Sequence, residues 1–324
     1  MAAMFQELGL ALSNRVERKV PLAQISHWRI GGEIEGVVRP STVTELVETL
    51  DILHRYGYPY LIAGNRTNVL FTDSSITAVL IILGDELSRT DIDKNTGRVI
   101  ALAGAWMPTL ARKIGKAGLA GAEHLIGIPG SLGGLVVMNG GSNQHSISES
   151  IYRVDSLTKD GAIISRTKEE CDFAYRKSCF QENGEIVLKA VMQFEPNADR
   201  IAIKKDMLQV LRSRRRKFPL RFPNCGSVFM ADKEKFDELG APGRVLESIG
   251  LKGKTLGGAQ ISHLHANFIV NTGGAKASDV LGLVKLSIET VKQAGVDYQL
   301  LSEIKFIDQH ANSMPLHDAA MLFG

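Results

Sequence analysis

Two glycine-rich segments of this 324-residue chain have the composition of loops that bind phosphate groups. The segment 64–68 reads GNRTN and follows an apolar run, and the segment 127–134 reads GIPGSLGG and opens another one. Glycine adopts positive φ and lets a ligand approach the backbone, and successive N–H groups in such turns form an anion site. Asn65, Asn68 and Ser131 add neutral hydrogen-bonding groups. The pair predicts a phosphate-ligand site, although either segment alone is more often an ordinary tight turn.

A cluster of cations at 212–217 reads RSRRRK and ends a segment with helical spacing. The usual interpretation of a charge run is a solvated surface, and a helix end favours cations through its dipole. Arg and Lys also bind diphosphates, Arg through a bidentate fork and Lys as a point charge. Nucleic acid is a third interpretation, although few aromatic residues lie among the charges, which argues against a single-strand stacking platform. The residues alone leave all three open.

The turn PNCGSVF at 223–229 places a serine directly after a glycine. Ser227 could therefore present a positioned hydroxyl, although a lone serine in a turn is structural in most proteins. The motif is not GxSxG, so a hydrolase nucleophile elbow is not predicted. From the residues alone, the structural interpretation of Ser227 is the stronger one.

The elements that position these loops mix helices and strands through the first half of the chain. Helical spacing predicts a helix at 43–56, with Thr42 and Glu45 as a capping box and Gly57 as its end. Apolar runs predict strands at 59–63, 78–83 and 99–103, and a second helix is predicted at 107–116. No GxGxxG follows a strand and no GxxxxGK[ST] occurs, which disfavours the dinucleotide fold and the P-loop. An α+β arrangement is therefore expected.

The second half begins with a change of composition at 195–199, EPNAD, where we place a domain boundary. A helix is predicted at 201–217. A strand at 267–271, a helix at 279–294 and a strand at 300–307 then form a predicted β-α-β unit, in which Ser278 caps the helix and Gly295 ends it. The residues after Asp308 show no pattern.

The bulk composition is that of an ordinary globular protein, with 44% hydrophobic residues, 23% charged residues and a net charge of +3. This excludes disordered and membrane classes, and the charge is too small to indicate a nucleic-acid binder. The N-terminal segment carries Glu7 and no basic stretch, so a secretory signal is not expected. No apolar run reaches transmembrane length.

Three cysteines without a CxxC pair predict neither a disulfide framework nor a zinc site, and favour a reduced, cytoplasmic setting. His263 and His265 are two residues apart and would share one face of a strand. No third ligand is evident from the sequence, so a metal site is not predicted.

Nine segments, in order and across most of the chain, resemble the UDP-N-acetylenolpyruvoylglucosamine reductase family of peptidoglycan precursor synthesis. They are WRIGG at 28–32, AGNRTNVL at 63–70, GIPGSLGGLVVMN at 127–139, YRKS at 175–178, Arg214 with Lys217 and Pro219, CGSVF at 225–229, GLKG at 250–253, HANFIVN at 265–271 and LSEI at 301–304.

The resemblance implies a fold and a division into domains. The fold class is α+β, with an FAD-binding domain of the vanillyl-alcohol-oxidase (PCMH) type followed by a smaller α+β substrate-binding domain. The FAD-binding domain would cover residues 1–197, the substrate-binding domain residues 205–308, and a C-terminal tail residues 309–324. The short connection between Phe229 and Gly250 leaves no room for an extra tyrosine-bearing loop, so the chain resembles the shorter subclass.

The resemblance also implies FAD as the cofactor, NADPH as the reductant and a UDP-linked enolpyruvyl amino sugar as the substrate, with UDP-N-acetylmuramate as the product. Hydride would reach the terminal enolpyruvyl carbon, and Ser227 would protonate the adjacent carbon as general acid. Arg176 would stabilise the developing negative charge, and Glu303 would complete the catalytic set.

The cofactor-binding residues that the resemblance implies are Arg29, Gly64, Asn65, Arg66, Thr67, Asn68, Gly127, Ile128, Pro129, Gly130, Ser131, Gly133, Gly134, Asn139 and His265. The substrate-binding residues that it implies are Tyr175, Arg214, Lys217 and Gly226.

Two segments depart from the family's pattern, namely Met230 to Asp232 and residues 140–145. Ala231 cannot supply the amide that some members use at the diphosphate. The alternative function is therefore a paralogous flavin reductase or oxidase that acts on a related nucleotide sugar. A non-enzymatic nucleotide- or RNA-binding protein built on the cluster at 212–217 is a further alternative. We expect a cytoplasmic monomer without a membrane or nucleic-acid partner.

Overall fold

The computed structural model describes residues 1–323, which divide into two compact units. The first unit comprises residues 1–17, 37–65 and 80–214, and the second comprises residues 18–36, 66–79 and the chain from Arg215 onward. Each unit therefore combines stretches that are far apart in the sequence.

The α-helices, in chain order, are α1 (Ala2–Ala11), α2 (Leu22–Ile25), α3 (Val43–Arg55), α4 (Met107–Lys116), α5 (Leu132–Val137), α6 (Arg200–Lys217), α7 (Phe236–Leu239), α8 (Pro242–Ser248), α9 (Ala277–Gln293) and α10 (Leu316–Leu322).

The strands, in chain order, are β1 (Val16–Pro21), β2 (Glu33–Val38), β3 (Tyr60–Ala63), β4 (Val69–Phe71), β5 (Ile76–Ile82), β6 (Thr90–Asp93), β7 (Arg98–Leu102), β8 (Gly141–Ser142), β9 (His145–Ser146), β10 (Ile151–Leu157), β11 (Ile163–Thr167), β12 (Ile186–Gln193), β13 (Thr255–Leu256), β14 (Ala259–Ile261), β15 (Ile269–Asn271), β16 (Lys305–Ile307) and β17 (Ser313–Pro315).

The first unit is built on a five-stranded antiparallel sheet with the strand order β11-β10-β12-β7-β6. Apolar side chains of β7, β10 and β12 pack with those of helices α4 and α5 into one buried cluster. Alternate residues of β7, Val99 and Ala101, are fully buried, as the two-residue period of a strand requires. A separate four-stranded sheet, whose strands are not confined to the first unit, has the order β1-β2-β5-β3.

Helix α3 confirms the predicted helix and corrects its cap. Leu46, Leu50 and Leu53 lie on its buried face. Thr42 Oγ1 accepts the backbone N–H of Glu45 at 3.0 Å, which satisfies one of the free donors of the first turn. The reciprocal half of the box is absent from residues 1–323, because the Glu45 carboxylate accepts the N–H of Ser41 instead.

The other predicted elements of the first half are also confirmed, with small shifts at their ends. The helix predicted at 107–116 is α4, and the strands predicted at 59–63, 78–83 and 99–103 are β3, β5 and β7. The helix predicted at 201–217 is α6. Gly57 ends α3 at φ +57°, as predicted from its lack of a side chain.

The second unit has its own core, and the predicted β-α-β unit is wrong. Strand β15 is the edge of the antiparallel sheet β13-β14-β15. Strand β16 lies in a different sheet, between β17 and β4, and runs parallel to β4. The two strands that flank α9 therefore do not share a sheet, and the apolar face of α9 packs into the buried cluster of this unit.

The bounds of two predicted elements in this unit need correction. Helix α9 begins at Ala277, so Ser278 is not its cap; Asp279 Oδ2 accepts the N–H of Lys276 at 2.9 Å and closes the first turn. Gly295 ends the helix as predicted, at φ +65°. The predicted strand at 300–307 is regular only in β16, because residues 301 and 302 bond to the segment around Phe229.

Residues 309–323 contain two regular elements, although the sequence shows no pattern there. Strand β17 pairs with β16, and α10 buries Leu316, Ala319 and Ala320 against the core of the second unit. Short elements of this kind lack the repeats that make longer ones visible in a sequence. None of the helices in residues 1–323 combines the length and the apolar composition that crossing a bilayer requires.

Candidate functional site

The first unit brings the two glycine-rich segments together at Gly64 and Ser131. A Cβ atom added to Gly64 would overlap Ser131 Oγ and lie 3.1 Å from Ser131 Cβ. Ser131 is buried and precedes α5, and Gly64 directly follows β3. A larger residue at position 64 would have to displace the Ser131 side chain, so the close approach favours glycine there.

Asn65 borders a cavity of about 400 Å³ within the first unit. Its Oδ1 atom is buried and has no hydrogen-bond partner among residues 1–323. A buried acceptor without a donor is costly, so this oxygen suits a ligand hydroxyl or amino group. The cavity is also lined by Asp85, Ser88, Thr90, Ala105, Trp106, Thr109, Leu110 and Lys113.

The segment 127–134 is fixed to the strand end that precedes α4. Met107 donates its N–H to the Gly130 carbonyl at 2.9 Å, and Leu132 and Gly133 donate to the carbonyls of Ala105 and Ala103 at 2.9 and 2.8 Å. A Cβ atom at Gly133 would lie 2.9 Å from Ala103 Cβ, so glycine permits this packing. Ile128 is half-buried, and Pro129 and Gly134 are exposed.

Arg214, one of the cations of the 212–217 cluster, lies against this same segment. A Cβ atom at Gly127 would overlap Arg214 Cδ, so the arginine stem runs across the glycine. Burial lowers the pKa of the Arg214 guanidinium to about 10. The guanidinium still carries its charge at neutral pH. Arg215, Arg216 and Lys217 are exposed, so Arg214 is set apart within the cluster.

Tyr175 and Arg176 form the tip of a tight turn in the first unit. Ala174 and Lys177 exchange backbone hydrogen bonds of 3.1 Å in both directions, and Arg176 has φ +57°, in the left-handed region. The Arg176 guanidinium carbon lies 5.5 Å from the centre of the Tyr175 ring. Asn139 Nδ2 donates to the Ala174 carbonyl at 2.8 Å, which connects the glycine-rich segment to this turn.

The second unit holds the remainder of the 64–68 segment. Arg66, at φ +53°, donates from Nε to the Ile25 carbonyl at 2.9 Å. Thr67 is half-buried. Asn68 Nδ2 donates to the Glu303 carbonyl at 2.8 Å, and Lys305 donates its N–H to the Asn68 carbonyl at 3.1 Å.

Ser227 and Glu303 lie on two segments of the second unit that are bonded to each other. Met230 donates its N–H to the Leu301 carbonyl at 2.8 Å, and Ser302 Oγ donates to the Val228 carbonyl at 2.7 Å. Phe229 and Ser302 form an isolated β-bridge. The serine motif and the glutamate motif, 76 positions apart in the chain, are therefore neighbours in the fold.

The Ser227 turn is shaped by its neighbours Asn224 and Gly226. Gly226 has φ +82°, and its N–H donates to Asn224 Oδ1 at 2.9 Å. Cys225 is buried beneath the turn, and burial raises the pKa of its thiol to about 12, so it stays protonated. Ser227 itself is half-buried.

His265 packs among aromatic rings of the second unit. Its ring centre lies 5.5 Å from that of Phe218 and 5.0 Å from that of Phe268, and its Nδ1 accepts the N–H of Asn267 at 3.2 Å. Burial, with the charge of Lys252, lowers its pKa, so the ring is neutral at neutral pH. His263 and His265 precede β15, so the predicted strand geometry is wrong.

Arg29 and Lys217 of the second unit are both exposed. Arg29 has φ +55°, and its carbonyl lies 3.4 Å from Asn271 Nδ2. Lys217 is the last residue of α6.

Three residues that hold the site were not among the predicted ones. Asn267 accepts the N–H of Phe229 and donates to its carbonyl, both at 2.9 Å. Ser302 bonds Val228 and also accepts the N–H of Ile304 at 3.1 Å. Gln181 donates to the Arg176 carbonyl at 2.9 Å. Asn267 and Ser302 lie within quoted motifs, whereas no sequence signal marked Gln181.

Two family profiles match the chain. "UDP-N-acetylenolpyruvoylglucosamine reductase, C-terminal domain" matches residues 218–307, and "FAD binding domain" matches residues 34–166. The α+β fold class, with an FAD-binding domain followed by a second α+β domain, is thereby confirmed; the vanillyl-alcohol-oxidase type of the FAD-binding domain stays a prediction. The domain limits at residues 197, 205 and 308 stay predictions.

Relatives named UDP-N-acetylenolpyruvoylglucosamine reductase match most of the chain. The Synechococcus protein is 37% identical over 86% of this chain and 89% of its own length, and the Lactobacillus acidophilus protein is 38% identical over 90% and 95%. The solved structure of the Thermus caldophilus reductase, at 30% identity, covers 90% of this chain and 98% of its own, with a TM-score of 0.75. This chain belongs to the UDP-N-acetylenolpyruvoylglucosamine reductase family.

Proposed function

We propose that this chain uses NADPH, through FAD, to reduce the enolpyruvyl group of UDP-N-acetylglucosamine enolpyruvate and so forms UDP-N-acetylmuramate, a peptidoglycan precursor. The observation that carries the proposal is the bonded pair of segments that hold Ser227 and Glu303 in the second unit. A flavin oxidase that removes hydride from an alcohol has no need of a proton donor of this kind. The names of the relatives supply the substrate class.

The residues of the first unit fit FAD as a ligand. Asn65 Oδ1 is a buried acceptor without a hydrogen-bond donor among residues 1–323. The cavity that Asn65 borders is also lined by hydroxyl and carboxylate groups. A Cβ atom at Gly64 or Gly127 would overlap the side chain of Ser131 or Arg214, so glycine lets these segments pack closely. We therefore assign Gly64, Asn65 and the segment 127–134 to the cofactor. Arg29, the residues 66–68, Asn139 and His265 stay predicted members of this set.

Bound FAD would supply the hydride that adds to the terminal enolpyruvyl carbon. The adjacent carbon then carries an electron pair that is delocalised into its carboxylate, and Ser227 gives a proton to that carbon. Hydride and proton together convert the carbon–carbon double bond into a single bond. A serine hydroxyl is a weak acid, so it must be held in place, and the bonds at Gly226, Val228 and Phe229 do this.

Arg176 would pair with the substrate carboxylate and stabilise the charge that grows there. A guanidinium suits this task because it stays protonated and binds a carboxylate through two N–H groups. Glu303 would orient the reacting end of the substrate. Its main chain is fixed by Asn68, which donates to its carbonyl.

The UDP diphosphate would be bound by cations that differ in burial. Arg214 is half-buried and charged, whereas Lys217 is exposed and would act as a point charge. Tyr175 and Gly226 complete the proposed substrate-binding set. The three cysteines of residues 1–323 are unpaired, which supports a cytoplasmic location; a monomeric state is a prediction that sedimentation equilibrium tests.

The proposal is tested by steady-state turnover of the FAD-loaded protein. NADPH oxidation should require UDP-N-acetylglucosamine enolpyruvate, and mass spectrometry of the product should show the gain of two hydrogen atoms. Oxygen consumption without the UDP sugar would instead support an oxidase. A colourless protein with steep salt-dependent RNA affinity would support the RNA-binding alternative.

A further inference from the structure

We propose that Gln181 is a positioning residue for Arg176, and that with Asn139 and Ser178 it clamps the Ala174–Lys177 turn onto the end of helix α5. The inference rests on the proposed function, in which Arg176 meets the substrate carboxylate. Every residue of the clamp belongs to the first unit.

The turn needs support because its central arginine has an unfavourable backbone conformation. Arg176 has φ +57°, which side chains with a Cβ adopt rarely. The exchanged hydrogen bonds between Ala174 and Lys177 close the turn, but they do not fix its orientation on the rest of the unit. Residues held in such conformations persist when their surroundings determine them.

Gln181 supplies that orientation through the two hydrogens of one amide group. Its Nε2 atom donates to the Arg176 carbonyl and to the Val137 carbonyl, each at 2.9 Å. Val137 is the last residue of α5, which begins at Leu132 in the glycine-rich segment. The Gln181 amide therefore connects the turn that carries Arg176 to the end of α5, the helix that begins within the proposed cofactor segment.

Ser178 and Asn139 add two further contacts of the same kind. Ser178 is fully buried and donates from Oγ to the Val137 carbonyl at 2.6 Å. Asn139 Nδ2 donates to the Ala174 carbonyl at 2.8 Å, and its Oδ1 accepts the N–H of Ser148 at 3.3 Å. Asn139 therefore uses both ends of its amide to connect the turn to the backbone at Ser148.

A loss of the clamp should affect one half-reaction more than the other. The Arg176 guanidinium matters where negative charge develops, which is in the transfer to the enolpyruvyl group. NADPH oxidation by the flavin develops no such charge on a carboxylate. A misplacement of a catalytic group by about 1 Å costs up to 10²-fold in rate, so a relaxed turn should slow substrate reduction and spare flavin reduction.

The test compares Gln181→Leu with Gln193→Leu in the FAD-loaded enzyme. Gln193 Nε2 also bridges two carbonyls, those of Thr96 and Phe194 at 2.7 and 3.2 Å, but it does not bond the Arg176 turn. Gln181→Leu should slow flavin reoxidation by UDP-N-acetylglucosamine enolpyruvate roughly 10- to 100-fold, with flavin reduction by NADPH changed less than about two-fold. Gln193→Leu should leave both rates near those of the wild type.

A double variant separates positioning from general damage. If Gln181 acts through Arg176, then Arg176→Ala with Gln181→Leu should be no slower than Arg176→Ala alone. Should Gln181→Leu fail to retain FAD, Ser178→Ala removes one contact to the same carbonyl and should slow reoxidation by a smaller factor.

Three results would overturn the clamp: reoxidation of Gln181→Leu at the wild-type rate, equal slowing in Gln193→Leu, or additive losses in the double variant. A wild-type enzyme that the enolpyruvyl sugar does not reoxidise contradicts the proposed function itself and removes the clamp's role with it. The wild-type rate therefore distinguishes the two failures.

Discussion

At the scale of single residues, the role proposed for Ser227 would give a common side chain an uncommon task. Its type carries little information, since serine in a turn is usually structural. What sets it apart is the left-handed Gly226 before it and the bonds of Val228 and Phe229 after it. These contacts fix the main chain on both sides of Ser227. A weak acid must be held in place in this way to donate a proton efficiently.

Ser227→Ala tests the proposed proton donor. The variant should bind FAD and be reduced by NADPH as the wild type is, and its reoxidation by the enolpyruvyl sugar should fall roughly 10²- to 10⁴-fold, the usual contribution of a positioned acid. Stopped-flow absorbance measures both steps. Ser278→Ala, at an exposed serine near the start of α9, is the matched control. Normal substrate turnover in Ser227→Ala refutes the assignment.

Lys217→Ala tests the proposed diphosphate contact at the end of α6. Removal of an exposed cation should raise the substrate KM several-fold and leave kcat nearly unchanged, because the diphosphate contact is equally strong in ground state and transition state. The effect should weaken at high salt. Lys205→Ala, an exposed lysine on the same helix, controls for net charge. An unchanged KM returns the cluster to a solvated helix end.

At the scale of elements, the glycine-rich segments depend on contacts with one another. Each looks like an ordinary turn in the sequence, and the structure places Gly64 so close to Ser131 that a larger residue would displace the Ser131 hydroxyl. Strand β3, which precedes Gly64, and helix α5, which follows Ser131, therefore lie close together at these two residues. The effect of a substitution at Gly64 should therefore depend on which residue occupies position 131.

Gly64→Ala should weaken FAD binding roughly tenfold or more, because the added methyl group displaces Ser131. In a Ser131→Ala background the colliding Oγ is gone and the nearest remaining atom is Ser131 Cβ at 3.1 Å, so the same substitution should cost less. Flavin content after gel filtration and titration of the apoprotein with FAD measure the effect. An equal loss in both backgrounds contradicts the steric explanation.

The sheet of the first unit contains an ion pair whose loss should depend on pH. The Arg166 guanidinium hydrogen-bonds the Glu185 carboxylate through two nitrogens, one contact being 2.9 Å, and Ser156 Oγ donates to the same carboxylate at 2.7 Å. These bonds, first those of Arg166, hold the pKa of Glu185 below its usual value of 4.5. A lowered pKa stabilises the fold above pH 4.5, and this stability is lost as the pH falls through the folded-state pKa.

Glu185→Gln should therefore lower the melting temperature of the protein at pH 7 by a few degrees, since it leaves the half-buried Arg166 guanidinium without its charged partner. The difference from the wild type should shrink as the pH falls below about 4.5. Thermal unfolding monitored at several pH values checks this, with Glu238→Gln, at an exposed glutamate, as the control. A difference that is constant with pH contradicts the assignment.

The elements that the sequence predicted well are the long periodic ones. Helices α3, α4 and α6 have clear signals in the form of apolar spacing, caps or stops. Residues 300–304 were wrongly predicted as a strand, because Ser302 and Leu301 bond to the distant serine motif instead of a regular neighbour. Such long-range contacts have no local sequence pattern. The role of Gln181 cannot be predicted from the sequence for the same reason, because one of its bonds joins it to the distant Val137.

At the scale of the whole molecule, the division into two units could not have been predicted from composition. A change of composition placed a boundary near residues 195–199, yet residues 18–36 and 66–79 have most of their contacts with the second unit. Local composition carries no information about contacts between segments that are far apart in the chain. The family profiles match residues 34–166 and 218–307.

The most direct measurement is anaerobic mixing of the NADPH-reduced protein with UDP-N-acetylglucosamine enolpyruvate while flavin absorbance is followed. The proposed function predicts rapid return of the oxidised flavin spectrum, with one equivalent of UDP-N-acetylmuramate formed per flavin. A reduced flavin that stays reduced until oxygen is admitted, with the enolpyruvyl sugar recovered unchanged, would contradict it.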